Sequence, residues 1–334
     1  MGTVYVNQED AFLGRSDERL KITHERRTLL EVPLLRIDGI VVLGRAHFSP
    51  ALMGELLERR IPMSFLSPTG RYLGRVEPEL SKNIFVRSAQ WRASEQPERT
   101  LHLARAFVRG KLKNCRNDLM RAQREHPELN VQKAIESIQQ NIDALPRTEN
   151  VDSVRGLEGA GSASYFAVFE QLIRVKGFSF THRNRRPPLD PVNALLSFGY
   201  SLLRHDIQSA LNIVGFDPYL GFLHTQRYGR PSLALDLMEE FRPLVVDAMI
   251  LGCLNKSVLQ PTDFESEPLS GAVSLNAEAR KQFLRQYEQK KQSRFRHLVL
   301  EKQCTYQEAF EIQARLLSKY LLGETHQYPP LILK

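Results

Sequence analysis

One imidazole and three carboxylates, His224, Asp236, Glu239 and Glu240, fall within residues 222–243, FLHTQRYGRPSLALDLMEEFRP. His224 precedes a turn at Tyr228-Gly229-Arg230-Pro231, and Ser232 is placed to cap a following helix. On that helix the acids, three and four residues apart, share one face. A solvated acidic face near a helix N-terminus, where the macrodipole favours negative charge, would account for them without any function. The acids are, however, interleaved with Leu233, Leu235, Leu237, Met238 and Phe241, and residues 244–250 are almost wholly apolar. A helix this apolar is expected to be buried, and buried carboxylates need a counter-charge. Pro243 removes the hydrogen bond to the Glu239 carbonyl and is expected to kink the helix beside the acids. A divalent cation held by His224 and one or two of the acids would supply the charge, with Asp236, Glu239 and Glu240 as alternative ligands.

A second acid stands apart. Glu158 lies in RGLEGAGSASYF, residues 155–166, where small residues lower helix propensity and suit a helix that a ligand or another backbone must approach closely. The helix is expected to continue through Phe166, Phe169, Leu172 and Ile173, with Glu158 near its start among groups too small to cover it. Taken alone, a glutamate there needs no role beyond the helix dipole.

One histidine, one distant glutamate and a close pair of acids suit magnesium or manganese, because carboxylates satisfy hard cations and imidazole is acceptable to manganese. Zinc is disfavoured without a second nearby histidine or a cysteine ligand. Such an ion activates a water or a 3′-hydroxyl and steadies charge growing on phosphate during in-line attack. No phosphate-cradling P-loop, dinucleotide fingerprint or serine nucleophile elbow is present.

The elements that must position these groups divide the chain in two. Residues 1–78 have the texture of a small, mainly β domain: apolar alternation at residues 3–6, 11–13, 19–22, 28–33 and 40–43, and a strand pair at 63–66 and 71–76 around Ser67-Pro68-Thr69-Gly70. Ser49-Pro50 starts one helix within it. After Glu77-Pro78 helical periodicity dominates, so residues 79–334 are expected to form an all-α catalytic domain and the fold class is α+β. Leu101, Ala104, Val108, Leu112, Cys115 and Leu119 give a long helix its apolar stripe. Its other faces are basic, with Arg105, Arg109, Lys111, Lys113 and further arginines to Arg124, and form either a solvated face or a surface that tracks phosphates. A polar segment at 125–154 separates this helix from Glu158. Arg183, Arg185 and Arg186 form a basic loop before a helix capped by Asp190 and ended by Gly215. Asn276 opens a basic helix through His297, and Thr305 with Glu308 makes a capping box for the last.

The chain has 334 residues, 42% hydrophobic and 25% charged, with a formal charge of +8. That is the composition of a soluble globular protein with a lean toward polyanionic partners such as nucleic acid. Cys115, Cys253 and Cys304 are too scattered for a disulfide framework or a zinc site, and no stretch has the length and apolarity of a signal peptide or membrane span. A cytoplasmic protein is expected.

Glu158 in RGLEG, the later PVNALLSFGY, then GFLH followed by SLALDLMEEFRP, resemble the universal spacer-integrase family of CRISPR systems, the endonucleases of CRISPR adaptation. The resemblance spans the chain, whose β N-terminal domain and helical remainder follow that family's plan. It implies a homodimer that joins a small partner protein of the adaptation complex, binds double-stranded DNA, and inserts short duplexes into a CRISPR array by transesterification of their 3′ ends onto the repeat. The ligands of the family's Mg2+ or Mn2+ fall on Glu158, His224 and Glu239, with Asp236 assisting. Arg183, Arg185, Arg186, Arg230 and Arg242 are expected to hold backbone phosphates, and the helix carrying Arg105, Arg109 and Lys113 to form an outer track. Two other classes share these residues: a non-catalytic nucleic-acid-binding scaffold, and a metal-dependent nuclease without joining activity.

Overall fold

The structure, a computed structural model, describes residues 2–67, 72–76 and 81–333. The expected turn at residues 67–70 and the boundary at Glu77-Pro78 fall largely or wholly outside the described residues. The chain divides into two compact units, Met1–Leu80 with Arg280–Glu288, and Ser81–Ala279 with Gln289–Lys334.

In the first unit the alternating segments pair into two four-stranded sheets. One has the order β1 (Gly2–Val6), β5 (Ile37–Leu43), β7 (Met63–Leu66), β8 (Tyr72–Val76), parallel except for its last pair. The other has the order β4 (Arg27–Pro33), β3 (Arg19–His24), β2 (Ala11–Ser16), β6 (Ala46–Phe48). Helix α1 (Pro50–Glu58) is capped by Ser49, whose hydroxyl accepts from the Leu52 amide at 3.2 Å. Leu13, Leu20, Ile40, Leu52 and Met63 meet in the core of this unit.

The second unit is mostly helical: α2 (Ile84–Ser94), α3 (Pro97–Glu125), α4 (Gln132–Ala144), α5 (Val151–Ala167), α6 (Pro191–Val214), α7 (Ser232–Met238), α8 (Ala248–Asn255), α9 (Ala277–Gln292) and α10 (Tyr306–Leu321). The middle of α9 groups with the first unit. Two short hairpins interrupt the helices, β9 (Phe264–Ser266) with β10 (Val273–Leu275) and β11 (Arg294–His297) with β12 (Lys302–Thr305), so the unit is not wholly α. The basic helix opened by Asn276 therefore stops at Gln292, and Arg294–His297 is a strand.

Other local expectations are corrected. The polar segment at 125–154 contains α4, whose Ala134, Ile135, Ile138 and Ile142 make a buried stripe. Helix α5 ends at Ala167 and gives way to a 3-10 turn at Phe169–Leu172. Ser232 caps nothing: the helix begins with it, and its hydroxyl instead donates to the Thr225 carbonyl at 3.2 Å, tying down the preceding loop. The expected kink at Pro243 is a break followed by a π-helix, Arg242–Asp247, which widens the backbone before α8.

Helix α3 runs through the middle of this unit, and α5 packs against it where Gly161 meets Leu112 with no room for a side chain. That close approach is what the small residues of α5 provide, and it carries Glu158 to the flank of α3.

Candidate metal centre

Helix α5 delivers Glu158, the loop before α7 delivers His224, and the end of α7 delivers Asp236 and Glu239. Asp236 is fully buried and its carboxylate closes the loop back on itself. Its Oδ2 accepts from the amides of Phe222 at 2.6 Å and Leu223 at 2.9 Å, and its Oδ1 from the amide of His224 at 2.9 Å. Gly221 permits this, since a Cβ there would stand 2.7 Å from Asp236 Oδ2.

Asp236 Oδ1 also lies 2.7 Å from His224 Nδ1. A carboxylate can only accept, so the network assigns the proton to Nδ1 and leaves Nε2 with its lone pair. Nε2 faces Glu239 Oε1 at 3.8 Å. Asp236 thus positions the imidazole, and its remaining acceptor capacity goes to backbone.

Glu239 is 3% exposed and would be untenable alone. Arg242 Nε stands 3.0 Å from its Oε1 and Lys111 Nζ 2.7 Å from its Oε2. Burial works to raise its pKa, but Arg242 and Lys111 outweigh it and hold it down to about 2. The same Lys111 ammonium pairs with Glu158, which also accepts from Ser162 Oγ at 2.8 Å. Burial works to discharge Lys111; Glu239 and Glu158 outweigh it and hold its pKa above the ordinary lysine range. Lys111, expected on the basic face of α3, is instead buried between these two acids.

Glu240, the third alternative, points away. Tyr328 Oη donates to it at 2.5 Å, Gln313 Nε2 at 3.2 Å, and the Leu331 amide also donates, so it anchors the C-terminal segment instead of the site. Burial pushes its pKa to about 8 against those hydrogen bonds.

Beside Glu158 opens a cavity of about 470 Å³, bordered by His182, Arg183, Arg185, Tyr200 and Arg242. Arg183 and Arg242 both lie over the Tyr200 ring, at 5.6 and 4.6 Å. Arg183 is further held by Asn193 Oδ1 at 2.6 Å and Ser197 Oγ at 3.0 Å, and burial brings its pKa down to about 10. Arg185 and Arg186 are exposed, whereas Arg230 is half-buried and donates to Thr225 Oγ1 at 3.4 Å.

Arg242, expected on a phosphate, is instead committed to Glu239, because a buried carboxylate needs it there. Arg105, expected on an outer track, donates to Thr148 Oγ1 at 3.0 Å and braces the turn before α5. Arg109 is exposed and Lys113 half-buried. Arg116 is also tied to Asn117 and Gln139, so several basic side chains of α3 are engaged within the protein, whereas Arg109, Arg121 and Arg124 are exposed.

The donor set has the chemistry of a hard-cation site: two carboxylates drawn to one buried cation, and an imidazole whose Nε2 is turned to Glu239 while Nδ1 is held by Asp236. Among the described residues no three His, Cys, Asp or Glu side chains close around one point as they stand. The space between Glu158 and Glu239 is filled by the Lys111 ammonium. Magnesium or manganese fits these donors better than zinc, which would want softer ligands.

The family described as CRISPR associated protein Cas1 matches residues 4–289. The CRISPR-associated endonuclease Cas1 2 of Rhodospirillum rubrum is 40% identical, covering 100% of this chain and 99% of its own. A solved Cas1 protein from Thermotoga maritima superposes with a TM-score of 0.81 at 25% identity, covering 97% of each chain. A casposase bound to its integration product superposes with a TM-score of 0.87, covering 100% of this chain and 95% of that one; at 23% identity the likeness is one of fold.

Proposed function

The chain belongs to the Cas1 family of CRISPR-associated endonucleases, and from that membership we propose that it is a metal-dependent DNA integrase joining the 3′ ends of short duplexes to a CRISPR repeat. The observation that carries the reading is the meeting of Glu158 and Glu239, from separate elements, on either side of one cation, with the His224 ring beside Glu239. The shared fold with a casposase whose structure holds an integration product supports joining over cleavage alone.

Glu158, His224 Nε2 and Glu239 would hold Mg2+ or Mn2+. Bound there, the ion would lower the pKa of a 3′-hydroxyl and offset charge on the attacked phosphate. Asp236 keeps the Nδ1 proton in place, so that the ring presents a neutral nitrogen. Arg242 balances Glu239 within the buried site. Arg185, exposed at the cavity mouth, is free to take a phosphate, and Arg186 extends that basic edge. A homodimer assembled with a small partner protein would place two such sites on the two ends of one duplex.

Incubation with a labelled short duplex, a supercoiled repeat-bearing plasmid and Mn2+ tests this. Label covalently attached to the plasmid is the expected product. Nicked plasmid without attached label would make the protein a nuclease without joining. Salt-sensitive binding without metal-dependent product would make it a scaffold.

A further inference from the structure

We propose that Lys111 is the resident counter-cation of the metal centre: its ammonium stands where a divalent ion would stand, and the ion binds by displacing it. The proposal rests on the metal reading given above.

Three observations carry it. Lys111 Nζ touches both carboxylates at once, Glu158 and Glu239, and so occupies the space between them. Its side chain is 10% exposed, so the charge has been brought into the protein for those acids and is not a surface cation that happens to lie near. Finally, Lys111 borders the 470 Å³ cavity, which gives its four-carbon stem room to swing clear of the acids.

Charge balance makes the displacement necessary. Lys111 and Arg242 already face Glu158 and Glu239. A dication added to that set would leave like charges within a few ångströms of one another in a partly desolvated site, where their repulsion is weakly screened. Arg242 is pinned between Glu239 and the Tyr200 ring. Lys111, flexible and beside open space, is the group that yields. In the metal-free protein it keeps two acids from repelling each other and holds α3, α5 and the end of α7 together. A structural ion pair alone would do the second without opposing the metal, and the two roles predict opposite effects on affinity.

Titration calorimetry of the full chain with MnCl2 alone, beside thermal unfolding in EDTA and in Mn2+, separates them. Lys111→Met is expected to bind Mn2+ about 10-fold or more tightly than the unsubstituted protein, since an opposing interaction is gone. Its unfolding temperature should fall in EDTA and recover in Mn2+. Lys111→Arg keeps the acids neutralised with a bulkier, less yielding cation, so it should fold and bind Mn2+ more weakly; this arm decides the matter if Lys111→Met does not fold. Equal or weaker binding by Lys111→Met, or unchanged binding by Lys111→Arg, overturns the displacement. Glu158→Gln is the control. If the unsubstituted protein binds Mn2+ and Glu158→Gln weakens it while the lysine variants change nothing, only the displacement fails. If the unsubstituted protein binds no Mn2+, the metal reading fails with it.

Discussion

Glu158 and Glu239 face the same ammonium but differ in what the fold demands of them. The Glu158 side chain is 25% exposed and that of Glu239 only 4%. Removing Glu239 strands Lys111 and Arg242 with less counter-charge in a buried site, and breaking such a set costs about 3–5 kcal/mol. Removing Glu158 takes away a carboxylate that water partly reaches and leaves Lys111 still paired with Glu239, so the loss should be smaller, about 1–2 kcal/mol. Denaturant unfolding of Glu158→Ala and Glu239→Ala should show that difference, and equal losses would mean that Glu239 is not the acid on which the charge balance turns. Asp236→Ala is expected to lose roughly 2–4 kcal/mol, because three backbone amides and a ring N–H lose their shared acceptor. An unchanged midpoint would sink that assignment. The acids and His224 are legible from types and spacing; their division of labour is not. Asp236, Glu239 and Glu240 share a helical face on paper, but one turns to the loop, one to the cation and one to the C-terminal segment, because different partners reach each of them. Lys111 does carry a signal in the sequence. Three residues beyond Val108 and four before Cys115, it lies on the apolar stripe of α3, where a lysine implies a buried acid opposite.

Helix α3 is the element on which the others are hung, and the C-terminal segment is fastened along it. Asn114 Nδ2 donates to the carbonyls of Glu240 at 2.9 Å and Leu331 at 2.8 Å, and its Oδ1 accepts from the Leu333 amide at 3.0 Å. Glu240 completes the fastening, and its pKa is raised from the ordinary 4.5 to about 8. A carboxyl raised on folding favours the fold fully below its unfolded pKa, and that advantage is lost as pH rises through the folded value. Glu240→Gln, a neutral isostere, removes this loss. The unfolding temperature of the variant minus that of the unsubstituted protein should therefore increase between pH 5 and pH 9, and a difference independent of pH would contradict the burial of an ionisable group there. At this scale the strands of the first unit, the cap at Ser49, the helix between Asp190 and Gly215 and the capping box at Thr305 are readable, because each depends on neighbours in sequence. Helix α4 is readable in principle, but its polar composition masks a stripe at Ala134, Ile135, Ile138 and Ile142. The π-helix that contains Pro243 is not: proline announces a break, and only packing against α3 and α6 selects the form the break takes.

The formal charge of +8 concerns the whole molecule and its partner. With Arg105, Arg116 and Arg242 committed to internal partners, the basic loop at Arg185 and Arg186 is left as the cationic edge nearest the site. Binding of a short duplex should weaken steeply with salt. Replacing Arg185 and Arg186 by alanine should lower the slope of log affinity against log salt by about 1 for each phosphate no longer neutralised. An unchanged slope would move the phosphate track elsewhere. Composition alone overstates how much basic surface α3 offers, since charge counts do not show which arginines the fold consumes. The most direct test of the central claim is anomalous scattering from a crystal of the full chain soaked in Mn2+. The expected result is a single manganese peak bonded by Glu158, Glu239 and His224 Nε2, with Asp236 still on Nδ1; a peak bound elsewhere, or none at concentrations that support joining, would contradict it.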